Sequence, residues 1–215
     1  LTTIDNTFAS PINQNPIDFG IDIVMHSATK YLGGHSDILA GAVASSKENM
    51  EKVWHVAKNM GGSLSDFMVW MLERSIKTLA LRVKAQNKNA KRLAKYLQQH
   101  NDIKNVYYPG LKSHPNHILA KKQMKGYGAM ISFEFIDKID PSLFLTSLNL
   151  IKPSMSLAGV ESTMLSPAET SHYLLTENER LSQGITNELI RFSVGIENKK
   201  DIIMDIEHAI KLALK

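Results

Sequence analysis

The chain contains no cysteine among its 215 residues. That excludes disulfides, thiolate zinc sites and thiol nucleophiles, and it fits a reducing, cytoplasmic setting. No apolar run approaches the roughly 20 residues of a membrane helix. The opening Leu1-Thr2-Thr3-Ile4-Asp5 lacks the basic region and apolar core of a signal peptide, and lacks an initiator methionine. There is no Gly-x-Ser-x-Gly elbow for a hydrolase and no Gly-x-Gly-x-x-Gly fingerprint for a dinucleotide. His114 and His117 lie close in sequence, but no carboxylate joins them and Pro115 interrupts a helical ligand pair. They read as surface histidines, and no metal site is expected.

What is present is ordinary for a soluble globular protein: 43% apolar and 21% charged residues. The length allows one large domain or two small ones. Net charge is +4, densest at Lys84, Lys88, Lys91, Arg92 and Lys95. At helical spacing these lie opposite Val83, Ala90, Leu93, Ala94 and Leu97, so a solvated helix face explains them. No recognition motif or aromatic platform accompanies them, and no nucleic-acid partner is expected.

The most informative segment is Ser27-Ala28-Thr29-Lys30-Tyr31-Leu32-Gly33-Gly34, directly after the apolar run Ile23-Val24-Met25. It reads as a buried strand entering a loop with two hydroxyls, a lysine and two glycines. Ligands of open α/β sheets bind beyond the carboxyl ends of strands. A lysine there, beside hydroxyls able to bind phosphate, suits a Schiff base with an aldehyde cofactor. Asp5 ends a second strand-like start and supplies a carboxylate, the other group that a pyridoxal phosphate site needs.

Along the first eighty residues strand and helix alternate. Ile21 to Met25 predicts a parallel strand that is apolar on both faces. Leu39 to Ala44 predicts a second strand. Ser45-Ser46-Lys47-Glu48 is a capping-box pattern for a helix through Val53 and Val56, and Ser65 or Asp66 can cap the next helix. A long basic helix is expected from about Leu81 to Gln99. Beyond it, Val106 to Tyr108, Ala129 to Phe135 and Leu189 to Val194 read as strands, the middle one half-buried and antiparallel. Pro141 to Leu148 reads as a helix, as does the tail stripe Ile202, Ile206, Ala209, Ile210 and Ala213, capped near Asn198. The pattern changes near residue 82, which divides the chain into 1–82 and 83–215.

Asp5-Asn6-Thr7-Phe8-Ala9-Ser10-Pro11 followed by His26 to His35 resembles the Cys/Met-metabolism family of pyridoxal phosphate enzymes, which includes cystathionine γ-synthase, cystathionine γ-lyase and methionine γ-lyase. Ser156-Leu157-Ala158-Gly159-Val160-Glu161-Ser162 and Ile190 to Glu197 extend the resemblance almost to the C-terminus. It implies an α/β, fold-type-I, aspartate-aminotransferase-like architecture. Residues 1–82 would be the C-terminal part of a cofactor-binding large domain with a mostly parallel sheet, and 83–215 a small α+β domain.

The resemblance also implies roles. Lys30 carries the cofactor aldehyde and moves protons. Asp5 keeps the pyridine nitrogen protonated, although Asp-Asn-Thr also suits a strand-ending turn. Ser27 and Thr29 bind the cofactor phosphate, although such hydroxyls commonly bind their own backbone. Arg191 grips the substrate carboxylate with two parallel hydrogen bonds, where a salt-bridged surface arginine is the alternative. Ser156 sits near that carboxylate.

The implied chemistry forms or cleaves a C–S bond at the γ-carbon of a sulfur amino acid or activated homoserine, in a homotetramer. The cystathionine γ-synthase or γ-lyase type is favoured. Met155 stands where many of those enzymes carry glutamate. An apolar residue there resembles methionine γ-lyase and some sulfhydrylases, and is unlike the tyrosine of several β-lyases; methionine γ-lyase or O-acetylhomoserine sulfhydrylase is the alternative. The family's large domain begins well before the Asp5 strand, so the chain is expected to be a piece of a longer protein with an incomplete site. A truncated, non-catalytic scaffold is the reading of another class.

Overall fold

A computed structural model describes residues 1–214. The N-terminal region holds strands β1 (Thr3–Asp5), β2 (Ile23–Ser27) and β3 (Gly41–Ser45), with a short helix α1 (Ser10–Asn13) and a 3-10 turn (Pro16–Phe19) between the first two. β1 and β2 run parallel, Asp5 opposite Met25, while β3 runs antiparallel to β2 with Val43 opposite Met25. The parallel pair is the expected one; the antiparallel third strand makes the sheet mixed. β2 is also not buried on both faces. Val24 is buried, but Met25 is 41% exposed.

Two capped helices follow. α2 (Lys47–Met60) is capped by Ser46, whose hydroxyl accepts from the Asn49 amide, and it stops at Gly61 with φ +76°. The cap is thus one residue later than the Ser45 start of the sequence pattern, because the Ser45 hydroxyl donates to the Asp22 carbonyl at 2.6 Å instead. α3 (Asp66–Ile76) is capped by Ser65. Both helices form for local reasons of cap and propensity.

The C-terminal region begins with α4 (Leu79–Gln98), so residue 82 falls in the first turn of that helix. It continues through β4 (Ile103–Tyr107), α5 (His117–Gln123), β5 (Met130–Phe135), α6 (Pro141–Ser147), β6 (Lys152–Pro153), β7 (Thr163–Leu165), α7 (Glu177–Ser182), β8 (Leu189–Ser193) and α8 (Lys199–Ala213). The sheet order is β4-β5-β8-β7-β6, antiparallel except between β6 and β7. Asp140 caps α6 and Asn198 caps α8.

One face of this sheet packs on α4, α6 and α8. Phe133, Phe135, Phe144 and Phe192 are wholly buried there, and the Phe135 and Phe144 rings meet edge-on at 4.8 Å. β5 is covered more fully than its alternation predicts. Glu134, on the second face, is buried and accepts hydrogen bonds from Asn105 (2.6 Å) and Tyr107 (3.3 Å), which meets its need for donors away from water. Among the described residues no helix is long and apolar enough to cross a membrane.

Candidate active site

Because β1 and β2 are parallel neighbours, their carboxyl ends open on the same edge of the sheet. Asp5 is the last residue of β1 and Ser27 the last of β2. Thr7 clasps the two ends. Its amide donates to the Asp5 carboxylate (2.8 Å), and its hydroxyl accepts from the Ser27 amide (2.7 Å). The Thr7 hydroxyl and amide hold the Asp5 carboxyl below its ordinary value, with a smaller push from His26. His26 is held below its own ordinary value because burial disfavours its cation, which outweighs the attraction of Asp5.

Lys30 follows in a tight turn. Its amide donates to the Ser27 carbonyl (3.1 Å), and its carbonyl receives the Gly34 amide (2.7 Å). The side chain is half-buried and enters no ion pair among the described residues. The bonds around Ser27 leave its hydroxyl free. The Thr29 hydroxyl donates to the Ala40 carbonyl (3.3 Å) and accepts from the Ala40 amide (2.9 Å), so its one proton already faces β3. The backbone alternative is therefore realised at Thr29 and not at Ser27.

Beneath this turn lies Arg82, 5% exposed. It donates to the carbonyls of Tyr31 (2.8 Å), Leu32 (3.3 Å) and Ser75 (2.9 Å) and to the Thr78 hydroxyl (3.1 Å). Among the described residues no carboxylate pairs with it; four neutral oxygens do the work. Gly34, at φ +72°, has no space for a side chain, since a Cβ there would lie 1.9 Å from the Arg82 guanidinium.

A second loop, residues 154–162, is sewn to the first. The Val160 amide donates to the Gly34 carbonyl (2.9 Å) and the Ser36 hydroxyl to the Glu161 carboxylate, while Gln86 of α4 donates to the Gly159 carbonyl (2.7 Å). Ala158 sits in the left-handed region at φ +67°, its amide held by the Ser193 hydroxyl at 2.7 Å. Arg191, in the middle of β8, donates to the Met155 carbonyl at 2.9 Å, and burial lowers its pKa. Ser156 is next in the loop, its carbonyl receiving the Thr163 hydroxyl at 2.9 Å.

The structure thus gathers Asp5, Ser27, Thr29 and Lys30 at one strand edge. Ser156 lies in a second loop, hydrogen-bonded to the lysine loop, and Arg191 of β8 binds that loop at the Met155 carbonyl. A cavity of about 240 Å³ opens beside Asp5; Asn6, Phe8, Tyr127 and Met130 are among its walls, and Lys30 is not. Thr7 and Arg82 were missed from sequence. An Asp-x-Thr spacing does signal a side-chain-to-backbone turn. A buried arginine that binds carbonyls fifty residues away leaves no local signal. The described residues contain no cluster of three metal-ligating side chains, and His117 is tied through Nδ1 to the Pro109 carbonyl at 2.8 Å.

The family model described as Cys/Met metabolism PLP-dependent enzyme matches residues 1–211. A cystathionine β-lyase of Lactococcus lactis is 45% identical over 212 residues, which are 98% of this chain and 56% of that protein. A cystathionine γ-lyase of Bacillus subtilis has the same identity and coverage. The crystal structure of cystathionine γ-lyase from Lactobacillus plantarum complexed with L-serine superimposes with a TM-score of 0.95 at 42% identity, covering 99% of this chain and 56% of that one. The chain therefore has the fold of the corresponding part of a fold-type-I enzyme and spans about half the length of the relatives it matches.

Proposed function

This chain belongs to the Cys/Met metabolism family of pyridoxal phosphate-dependent enzymes, and from that footing we propose that it carries the lysine-bearing part of a transsulfuration enzyme acting at the γ-carbon. The observation that carries the reading is the shared edge: a carboxylate at the last residue of one strand, and a lysine with no ion pair among the described residues three residues past the end of its parallel neighbour.

These residues fit the cofactor. The Lys30 amine is free to hold its aldehyde. The Asp5 carboxyl, kept ionised by Thr7, suits a protonated ring nitrogen. The Ser27 hydroxyl is free to donate to phosphate, and Thr29 joins it by turning its proton away from the long 3.3 Å contact with Ala40. When bound, pyridoxal phosphate supplies an electron sink for charge developing at the substrate Cα. The free Lys30 amine would take the Cα proton and return it at a neighbouring carbon. Arg191 pairs with the substrate α-carboxylate, exchanging the Met155 carbonyl for a charged acceptor, which binds about twice as strongly. Ser156, one residue on, lies within the same loop and orients that carboxylate.

The boundary near residue 82 separates a cofactor-binding part from a substrate-gripping part, with α4 spanning the two. The reading carries with it a cytoplasmic homotetramer; the exposed apolar faces of α2 and α3 support assembly. Methionine γ-lyase is the second reading, favoured by the apolar Met155 beside Arg191.

The test is borohydride reduction of the full-length protein loaded with pyridoxal phosphate, followed by peptide mapping. The label is expected on the peptide containing Lys30, and a label on any other lysine refutes the assignment. Product assays with cystathionine, methionine and an O-acylated homoserine then separate the two readings. Turnover of methionine alone favours the second.

A further inference from the structure

The charge of this chain is not spread evenly. Residues 83–126 hold ten Lys or Arg and one acid, Asp102, while the chain totals are 25 and 21. The remainder therefore holds 15 bases and 20 acids. The sequence explains the α4 lysines as a solvated face, yet the fold does something that a single helix cannot. Lys91 and Lys95 of α4, Lys112 of the loop after β4, and Lys121 of α5 line one cavity of about 440 Å³. His117 and Tyr127 line it too, their rings tilted by 34° at 5.7 Å. No acid is among its walls, and none of the four lysines enters an ion pair among the described residues.

Four ammonium groups from three separate elements around one concavity repel each other until an anion enters. The ligand chemistry follows from the donors. No arginine fork is present to select a planar carboxylate; lysines act as point charges suited to phosphate oxygens. The cavity is far larger than one phosphate ion and falls within the size of small-molecule sites. His117 is fixed through Nδ1 by the Pro109 carbonyl, so its ring and that of Tyr127 offer a preset aromatic wall. We infer that this cavity binds a small oligophosphate, the triphosphate group of a nucleotide or an inorganic phosphate chain, at a site separate from the Lys30 edge.

The test uses the full-length protein with its pyridoxal phosphate site filled and reads anion binding rather than turnover, so its outcome is independent of the proposed function. Calorimetric titration at about 0.15 M salt with tripolyphosphate is expected to show one saturable site, about tenfold or more tighter than for orthophosphate. Lys95→Glu with Lys121→Glu should weaken it about tenfold or more. Lys84→Glu with Lys88→Glu, the same charge change on α4 but outside the cavity, should cost less than about threefold. Lys95→Gln with Lys121→Gln keeps the test open if the reversed pair fails to fold. ATP is the second arm. Binding tighter than tripolyphosphate identifies a nucleotide held by the ring wall, and equal binding identifies a bare phosphate chain; either upholds the site. Absence of saturation, equal losses from the two reversed pairs, or displacement of tripolyphosphate by single-stranded RNA equally sensitive to both pairs would overturn it.

Discussion

Residues 1–78 and residues 79–214 are built from similar ingredients and bury them differently. α2 and α4 are both amphipathic helices, but α4 buries eight residues and α2 buries none. In the first region Trp54 and Phe67 are each 62% exposed and Leu39 is 80% exposed. In the second, four phenylalanines are fully enclosed. Amphipathicity is a property of a segment, whereas burial is a property of a pair. α4 has its partners in β4, β5 and α8; α3 reaches the core through Leu72, and the apolar sides of α2 and α3 otherwise stay largely exposed. Contiguous exposed apolar surface marks a place where something docks, so the first region carries the proposed cofactor residues beside a surface open to a partner.

Core substitutions test this contrast most severely. Phe144→Ala in the isolated chain is expected to cost about 3–5 kcal/mol by urea denaturation, and Trp54→Ala no more than about 0.5 kcal/mol. Equal costs would erase the contrast. The seam comes next. Arg82→Met strands the carbonyls of Tyr31, Leu32 and Ser75, at about 3 kcal/mol. Its distinguishing mark is faster hydrogen exchange at the Gly33 and Gly34 amides, with the Phe133 amide following global stability only.

Acid is expected to act on the first region through His26. Its folded pKa lies below the ordinary 6.5 because of burial, so the neutral form stabilises the fold at higher pH. That stability is lost as pH falls from 6.5 through the folded value. His26→Gln should flatten the dependence of Tm on pH in this window and leave it unchanged above. His114, also lowered by burial, supplies the residual slope. The smallest effect is expected at Ala158→Gly. Relief of the left-handed backbone gains about 1 kcal/mol, and loss of a buried methyl costs about 0.8 kcal/mol. Tm should move by less than about 2 °C.

Much of this was legible in the sequence, and for identifiable reasons. Lys30, Asp5 and Arg191 could be proposed as site residues because they sit in short segments with fixed order. In the second region α4, β4, β5, α6, β8 and α8 were found because their periodicity is local, while the short α5, β6, β7 and α7 were not. The Ser45 cap was placed one residue early because its hydroxyl is diverted to Asp22, twenty-three residues away. The burial of Glu134 depends on Asn105 and Tyr107 across a strand pair. Neither the antiparallel β3 nor the convergence of Lys91, Lys95, Lys112 and Lys121 has any signature within one window, since each is created by the path of the chain between elements.

Gly34 sets a limit on how this protein can vary. A single added methyl would have to displace a cation already held by three carbonyls, and would do so at the spot where the lysine loop and the 154–162 loop touch. Neighbouring positions can drift while this one stays frozen. Libraries that diversify the lysine loop should accordingly lose every clone altered here, whatever substrate they are screened against.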